Sequence, residues 1–148
     1  MIINDNIEIA KKINANGIHI GQDDISCSQA RKLIGDEKII GVTVANVEEA
    51  TKAIKDGANY LGVGAIFKST TKSDATVVGI DELKKICQMS TIPVVVIGGI
   101  NKDTIPLLKD IKIDGYAMIR PILSTDDITK SAEKLRNLIQ NNKKILNK

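Results

Sequence analysis

Residues 60–74, YLGVGAIFKSTTKSD, join a short apolar run to a loop of hydroxyl and lysine side chains. The apolar residues of 60–67 show no helical period, so they predict a buried strand, and Gly62 and Gly64 leave room for the close approach of a ligand. The loop places hydroxyls, cations and backbone N–H groups just past the carboxyl end of that strand, which suits an anion such as phosphate. An ordinary solvated loop fits the same residues equally well.

One unit repeats along the chain: a β-rich run, a polar loop and an amphipathic helical stretch. The β-rich runs occupy residues 1–3, 17–21, 39–44, 60–67, 93–97 and 115–119. The helical patterns occupy residues 7–15, 28–34, 47–56, 81–89, 104–111 and 126–141. Three of these helices are followed by Gly17, Gly57 and Gly115, which we expect to take the left-handed conformation that ends a helix. This alternation predicts a parallel β/α sheet.

Two parallel architectures are compatible with the repeat. A doubly wound sheet usually has a glycine-rich dinucleotide turn after its first strand, and INDN at residues 3–6 is not such a turn. In a (β/α)8 barrel, functional residues gather at the carboxyl ends of many strands, and here polar or glycine-rich residues follow every run. We therefore predict one domain over residues 1–148: an incomplete (β/α)8 barrel of about six β/α units, since a whole barrel needs roughly 200 residues or more.

Composition narrows the class of function. With 43% hydrophobic and 26% charged residues, the chain is typical of a soluble globular protein, and no stretch is long and apolar enough for a membrane span. Aromatic residues make up 2%, which argues against a stacking surface for nucleic acid. Cys27 and Cys87 form no metal-binding pair, so reduced cytoplasmic thiols are expected. The single histidine, His19, lies inside a predicted strand and is interpreted as a packed barrel residue.

Several segments together resemble the thiamine-phosphate synthase family. They are IINDN (2–6), GIHIGQDD (17–24), IIGVTV (39–44), GVGAIFKSTTKSD (62–74), IPVVVIGGI (92–100) and GYAMIRPI (115–122). The resemblance covers nearly the whole chain and implies a (β/α)8 barrel in which residues 1–3 are the third strand. It further implies that two β/α units are missing from this chain, along with a QLREK-like segment that helps to hold a substrate diphosphate.

The resemblance implies a transferase of thiamine biosynthesis. Members of the family join 4-amino-2-methyl-5-hydroxymethylpyrimidine diphosphate to thiazole phosphate, or to its carboxylate, and release diphosphate. Two alternatives stay open: a non-catalytic protein that binds a phosphate ligand, and a thiazole tautomerase, which shares the barrel. The motifs GQDD and TTK argue against the tautomerase. The resemblance also implies slow turnover by this chain alone and leaves room for self-association through open barrel edges.

The resemblance gives a catalytic group of Asp5, Asp24 and Lys72. Asp5 and Asp24 would bind Mg2+, because they follow neighbouring strands and this ion takes one or two carboxylates together with phosphate oxygens and water. Lys72 would meet the diphosphate. Taken as ordinary residues, Asp5 is equally an N-cap of the first helix, and Asp24 a loop acid.

The remaining site residues implied by the resemblance bind the two substrates. They are Asn4, Thr43, Ser69, Thr70, Thr71, Lys72, Gly99, Ile119 and Arg120. Gly98 and Gly99 are expected to let a phosphate reach N–H groups at the start of a helix over residues 102–111. Arg120 stands where the family usually has serine, and Thr43 also replaces a usual serine. Gln22 either stabilises the site or is an ordinary turn residue.

Overall fold

The computed structural model describes residues 1–68 and 77–146. Six parallel strands form one sheet in the order β1-β2-β3-β4-β5-β6. They are β1 (Ile2–Asn4), β2 (Gly17–Ile20), β3 (Ile39–Val44), β4 (Tyr60–Val63), β5 (Val94–Val96) and β6 (Gly115–Tyr116). Each overlaps one of the predicted β-rich runs, although β4 and β6 end earlier than predicted.

The strand order identifies the architecture. Every strand pairs in parallel with its neighbours in sequence, without the reversal of order that marks a doubly wound sheet. Among the described residues β1 pairs only with β2, and β6 only with β5, so the sheet does not close. The fold is an incomplete barrel of the (β/α)8 type, which confirms the predicted class.

Helices connect the strands and cover one face of the sheet. They are α1 (Ile7–Lys12), α2 (Cys27–Ile34), α3 (Val47–Lys55), α4 (Ile80–Met89), a 3-10 helix (Ile105–Leu108), α5 (Arg120–Leu123) and α6 (Ile128–Leu146). Side chains at the loop ends start three of them: the N–H groups of Ile9, Gln29 and Glu49 donate to Asn6, Ser26 and Asn46 respectively. Across the described part of the chain, no helix combines the length and hydrophobicity that crossing a membrane requires.

The helix predicted over residues 104–111 is only a 3-10 turn of four residues. Asn101 folds back on this segment, and its Oδ1 accepts the N–H groups of Asp103 and Thr104 at 2.8 and 3.2 Å. Pro106 lies within the first two positions of the turn and has no N–H to donate. Beyond this capped start, the N–H groups of Leu107, Lys109 and Ile111 donate to carbonyls three residues back, so the segment follows the 3-10 pattern instead of the α-helical one.

The two faces of the sheet differ in burial. The helix-covered face is apolar and nearly inaccessible, with exposures of 0–5% for Ile18, Ile20, Ile40, Val42, Val44, Leu61, Val63, Val94 and Val96. The opposite, concave face carries His19, Thr43, Tyr60 and Val95, all half-buried. Because successive residues of a strand point to opposite faces, the same strands build both the core and the polar concave surface.

At the amino-terminal edge of the sheet, the side chains of three polar residues form hydrogen bonds between neighbouring strands. Asn16, Asn59 and Asp114 each directly precede a strand, and their side chains accept N–H groups of Met1, Ile40 and Val94. The expectation of left-handed glycines is right at Gly57, with φ 90°, and wrong at the other two positions. Gly17 and Gly115 begin strands, and Asn14, with φ 50°, is the left-handed residue after α1.

Candidate active site

The carboxyl ends of β1 and β2 place Asp5 and Asp24 on one rim of the sheet. The Asp5 N–H donates to the His19 carbonyl at 2.8 Å, which holds Asp5 just past β1 with φ 62°. Asp24 is held by its own loop, since its Oδ2 accepts the Gly21 N–H at 2.7 Å. This bond occupies one carboxylate oxygen and fixes the direction of the other.

Thr43 lies on the same rim, near the end of β3. The Gln22 side chain donates through Nε2 to the Thr43 carbonyl at 2.6 Å, so the loop that carries Asp24 is tied to β3. Asn4 is exposed at the end of β1, paired in register with His19. Four of the predicted site residues, Asn4, Asp5, Asp24 and Thr43, therefore lie at the ends of three adjacent strands.

His19 bridges two hydroxyl groups on the concave face beneath this rim. Its Nδ1 lies 2.8 Å from the Tyr60 hydroxyl, and its Nε2 lies 2.8 Å from Thr43 Oγ1. Burial lowers the pKa of His19, and this effect exceeds the opposing influence of the Asp5 and Asp24 carboxylates. The imidazole is therefore neutral at pH 7. His19 is a packed residue, as predicted, but it is also part of a polar network.

Two glycines make room for the rings of this network. Gly41 lies between His19 and Tyr60 in the register of the sheet, and a Cβ at Gly41 would overlap the Tyr60 ring. A Cβ at Gly62 would lie 2.8 Å from His19 Cε1. The expectation that Gly62 and Gly64 leave space for a ligand is wrong, because the His19 ring and the Ile97 carbonyl fill those spaces.

Gly98 and Gly99 form a turn at the end of β5, with φ 88° and 68°. A Cβ at Gly99 would lie 2.8 Å from the backbone oxygens of Phe67 and Lys68, so the turn packs directly on the loop that follows β4. Among the described residues, neither the Gly98 N–H nor the Gly99 N–H donates to an acceptor. The N–H groups of Asp103 and Thr104, which a phosphate was expected to reach, already donate to the Asn101 side chain, and the predicted helix over residues 102–111 is only the 3-10 turn Ile105–Leu108.

Ile119 and Arg120 follow β6 on the same rim. Both are exposed, with Ile119 at 53%, and Arg120 begins the short helix α5. Sheet order thus separates the described site residues into two groups, one at the ends of β1–β3 and the other at the ends of β5 and β6. The second group consists of Gly99, Ile119 and Arg120.

The end of β4 lies between these groups in the order of the strands. The predicted site residues of the loop that follows it, Ser69, Thr70, Thr71 and Lys72, lie outside the described residues. On either side of them, the Phe67 N–H donates to the Gly98 carbonyl at 3.1 Å and the Val78 N–H donates to the Ala65 carbonyl at 2.8 Å. The described chain therefore enters and leaves this segment at the same rim.

Asp5 and Asp24 are the residues that would hold Mg2+. Both lie close enough to His19 for their charges to raise its pKa. In the part of the chain that the structure describes, no three His, Cys, Asp or Glu side chains are grouped to hold a metal. Two carboxylates fit a Mg2+ site that is completed by phosphate oxygens and water, rather than one built by protein alone.

A sheet of consecutive parallel β/α units with polar residues along its carboxyl rim defines a protein of the (β/α)8-barrel class, in which functional residues gather at the carboxyl ends of the strands. Within this class, residues 1–122 match the family of thiamine monophosphate synthase. The chain belongs to that family, which confirms the resemblance seen in its motifs.

Individual relatives agree with the family match. The chain is 48% identical over 137 residues to thiamine-phosphate synthase of Clostridium beijerinckii, covering 93% of this chain and 66% of the relative. It is 49% identical over 135 residues to thiamine-phosphate synthase of Clostridium tetani, covering 91% and 65%. The chain thus spans just under two thirds of the length of these relatives.

A solved structure shows the same architecture. Thiamine phosphate pyrophosphorylase from Pyrococcus furiosus superposes with a TM-score of 0.87 at 36% sequence identity, covering 96% of this chain and 68% of that one. The six-stranded arrangement described above is therefore shared with a solved protein of related sequence.

Sequence reasoning missed the role of Tyr60 and of the contacts made by His19. The signal was present as two glycines, Gly41 and Gly62, in strands that are otherwise β-branched or bulky. Recognising it requires the register, because only the alignment of β2, β3 and β4 shows that His19 and Tyr60 meet across Gly41.

Proposed function

We propose that this protein joins 4-amino-2-methyl-5-hydroxymethylpyrimidine diphosphate to thiazole phosphate, or to its carboxylate, forming thiamine phosphate and diphosphate, with CO2 also released when the carboxylate is the substrate. One observation carries the proposal: Asp5, Asp24 and Thr43 meet on the carboxyl rim of a chain that belongs to the thiamine monophosphate synthase family. Carboxylates that share a metal with a diphosphate, next to a hydroxyl donor, suit a reaction in which diphosphate departs.

The ends of β1–β3 would bind the pyrimidine diphosphate. Asp5 and Asp24 would hold Mg2+, which on binding would neutralise negative charge on the leaving diphosphate. Asn4 and Thr43 would contact the substrate from the same rim, and Lys72 would add a cation at the diphosphate. The fixed position of Asp24, whose carboxylate is bonded to the Gly21 N–H, supports its assignment as a metal ligand.

The ends of β5 and β6 would bind the thiazole phosphate. Gly98 and Gly99 support this assignment, since neither N–H donates to an acceptor among the described residues and successive N–H groups in a turn of this kind suit an anion. Ile119 and the exposed Arg120 would complete this half of the site, together with Ser69, Thr70 and Thr71. The guanidinium can hold a phosphate through two parallel hydrogen bonds.

The reaction needs little proton transfer. The carbon–oxygen bond between the pyrimidine methylene and the diphosphate breaks, and the electron pair leaves with the diphosphate. The thiazole nitrogen then uses its lone pair to form the new carbon–nitrogen bond. A neutral His19 that is bonded on both sides agrees with this chemistry, because it is not presented as a general base.

The proposed binding partners follow from the same chemistry. The partners are the two small substrates and Mg2+, with no nucleic acid or membrane surface involved. We propose a cytoplasmic location, which the two free cysteines, Cys27 and Cys87, support. Self-association through the unpaired edges of β1 and β6 stays a prediction.

A single-turnover assay tests the proposed function. The chain is mixed in excess over both substrates with Mg2+, so that slow chemistry is measurable, and thiamine phosphate and diphosphate are quantified together. We expect equal amounts of the two products and loss of both in Asp24→Asn. Binding of both substrates without any product would instead favour a phosphate-binding protein. Formation of product at the same rate in Asp24→Asn would contradict the assigned metal site.

A further inference from the structure

Three strands contribute to one chain of hydrogen bonds below the rim. Tyr60 on β4 contacts His19 on β2, and His19 contacts Thr43 on β3, with both heavy-atom distances at 2.8 Å. His19 and Tyr60 flank Gly41 in the register, so their side chains meet over a residue that has none. The ring planes are tilted by 30° with centroids 5.5 Å apart. This arrangement fixes the imidazole on both edges.

A hydroxyl lies at each ring nitrogen of His19, and an imidazole with one N–H can make these two bonds in only two proton arrangements. In the first, Nδ1–H donates to the Tyr60 hydroxyl oxygen, and the Thr43 hydroxyl donates a hydrogen bond to Nε2. In the second, the Tyr60 hydroxyl donates to Nδ1, and Nε2–H donates to Thr43 Oγ1. Only the second arrangement leaves the hydroxyl proton of Thr43 available to another acceptor.

We propose that His19 is a positioning residue that turns the Thr43 hydroxyl proton toward the diphosphate of the substrate, with Tyr60 selecting the Nε2–H tautomer. This inference rests on the proposed function, in which Thr43 contacts that diphosphate. Phosphate oxygens are acceptors, so a hydroxyl whose proton is already bonded to His19 would face them with lone pairs alone. The second arrangement gives Thr43 a donor at the position where the anion lies.

The backbone around Thr43 is restrained, so the hydroxyl is the group that His19 can orient. The Thr43 carbonyl already accepts the Gln22 side chain at 2.6 Å, which restrains the backbone around Thr43 and leaves its hydroxyl as the adjustable group. His19 sets that hydroxyl without touching the ligand.

The tautomer can be measured directly because the chain has one histidine. In protein labelled with 15N-histidine, long-range 1H–15N correlation spectra distinguish Nε2–H from Nδ1–H without any assignment. We expect the Nε2–H form in the wild type, both free and with Mg2+ and inorganic diphosphate, and a mixture of tautomers in Tyr60→Phe. A wild-type protein in the Nδ1–H form would overturn the proposal.

Binding of inorganic diphosphate in the presence of Mg2+ supplies the second test, by isothermal titration. His19→Leu, which cannot donate, should weaken binding about tenfold, because a hydrogen bond to a charged group is lost. His19→Gln, which keeps a donor at the end of its side chain, should stay within about threefold of the wild type. In a Thr43→Val background, His19→Leu should add no further loss, since the two residues act through one hydroxyl.

The outcomes separate the two claims. Wild-type affinity in a folded His19→Leu protein, or an independent loss in the Thr43→Val background, would overturn the positioning role alone. Absence of diphosphate binding by the wild-type chain would contradict the proposed function, and the positioning role with it. Circular dichroism of each variant excludes unfolding as the cause of a loss.

Discussion

The Nη2 atom of Arg31 lies 2.7 Å from Asn59 Oδ1, at the edge of the sheet opposite the candidate site. The same guanidinium donates to the carbonyls of Gly57 at 2.8 Å, Gly35 at 2.9 Å and Lys38 at 2.6 Å. Asn59 Oδ1 also accepts the Ile40 N–H at 2.8 Å. One side chain of α2 therefore joins the loops that lead into β3 and β4.

Removal of this guanidinium should destabilise the fold without affecting the rim. Arg31→Met removes the shared donor of three carbonyl groups and of the Asn59 side chain, so we expect the free energy of unfolding to fall by about 2–4 kcal/mol. Lys32→Met, at an exposed neighbouring position, should change it by no more than about 0.5 kcal/mol. Urea denaturation measures both variants. Equal stability of the two would show that the Arg31 contacts contribute little.

Gly79 and Gly99 offer a matched test of the packing between the two rim loops. Both have positive φ, 80° and 68°, but a Cβ at Gly79 meets open space while one at Gly99 meets Phe67 and Lys68. Gly79→Ala should cost about 1 kcal/mol from backbone strain alone. Gly99→Ala should cost about 2–4 kcal/mol and weaken phosphate binding, since the neighbouring loop must move. Similar unfolding free energies for the pair would refute the close packing.

Arg120 occupies the position where the family usually has serine. Its larger, charged side chain could either strengthen the binding of thiazole phosphate or block it. We expect Arg120→Ser to weaken binding of thiazole phosphate only modestly, by about threefold or less, because an exposed guanidinium pairs with a screened anion. Lys112→Ser removes an exposed cation near the amino-terminal end of β6 and controls for net charge. Tightening of binding by severalfold in Arg120→Ser would show that the arginine blocks the site.

The positions of the strands could be predicted because each lies in a short, largely apolar run that is followed by polar or glycine residues. The order of the strands could not be read from those runs alone, yet the absence of a dinucleotide turn correctly favoured the barrel. The 3-10 form of the segment after Asn101 was missed, because its N–H groups donate to carbonyls three residues back and the apolar pattern of so short a helix does not distinguish this spacing from the α-helical one.

The candidate site was predictable where a residue lies at the end of a strand. Asp5, Asp24 and Thr43 fall on one rim because parallel strands all end at the same edge. The contact between His19 and Tyr60 joins strands that are not adjacent and depends on the missing side chain of Gly41. Sequence spacing carries no information about that register, which explains why His19 was interpreted only as a packed residue.

The proposed function depends most directly on whether Asp5 and Asp24 would hold Mg2+ together with a bound diphosphate. Asp24→Asn keeps an oxygen that can accept the Gly21 N–H but removes the charge, whereas Asp23→Asn changes an exposed neighbour. Isothermal titration of inorganic diphosphate, with and without Mg2+, compares these variants with the wild type.

We predict that Mg2+ strengthens diphosphate binding about tenfold or more in the wild type and in Asp23→Asn, and that Asp24→Asn loses this gain while remaining as stable as the wild type. An equal gain from Mg2+ in Asp24→Asn would contradict the metal site and the proposed function that is built on it.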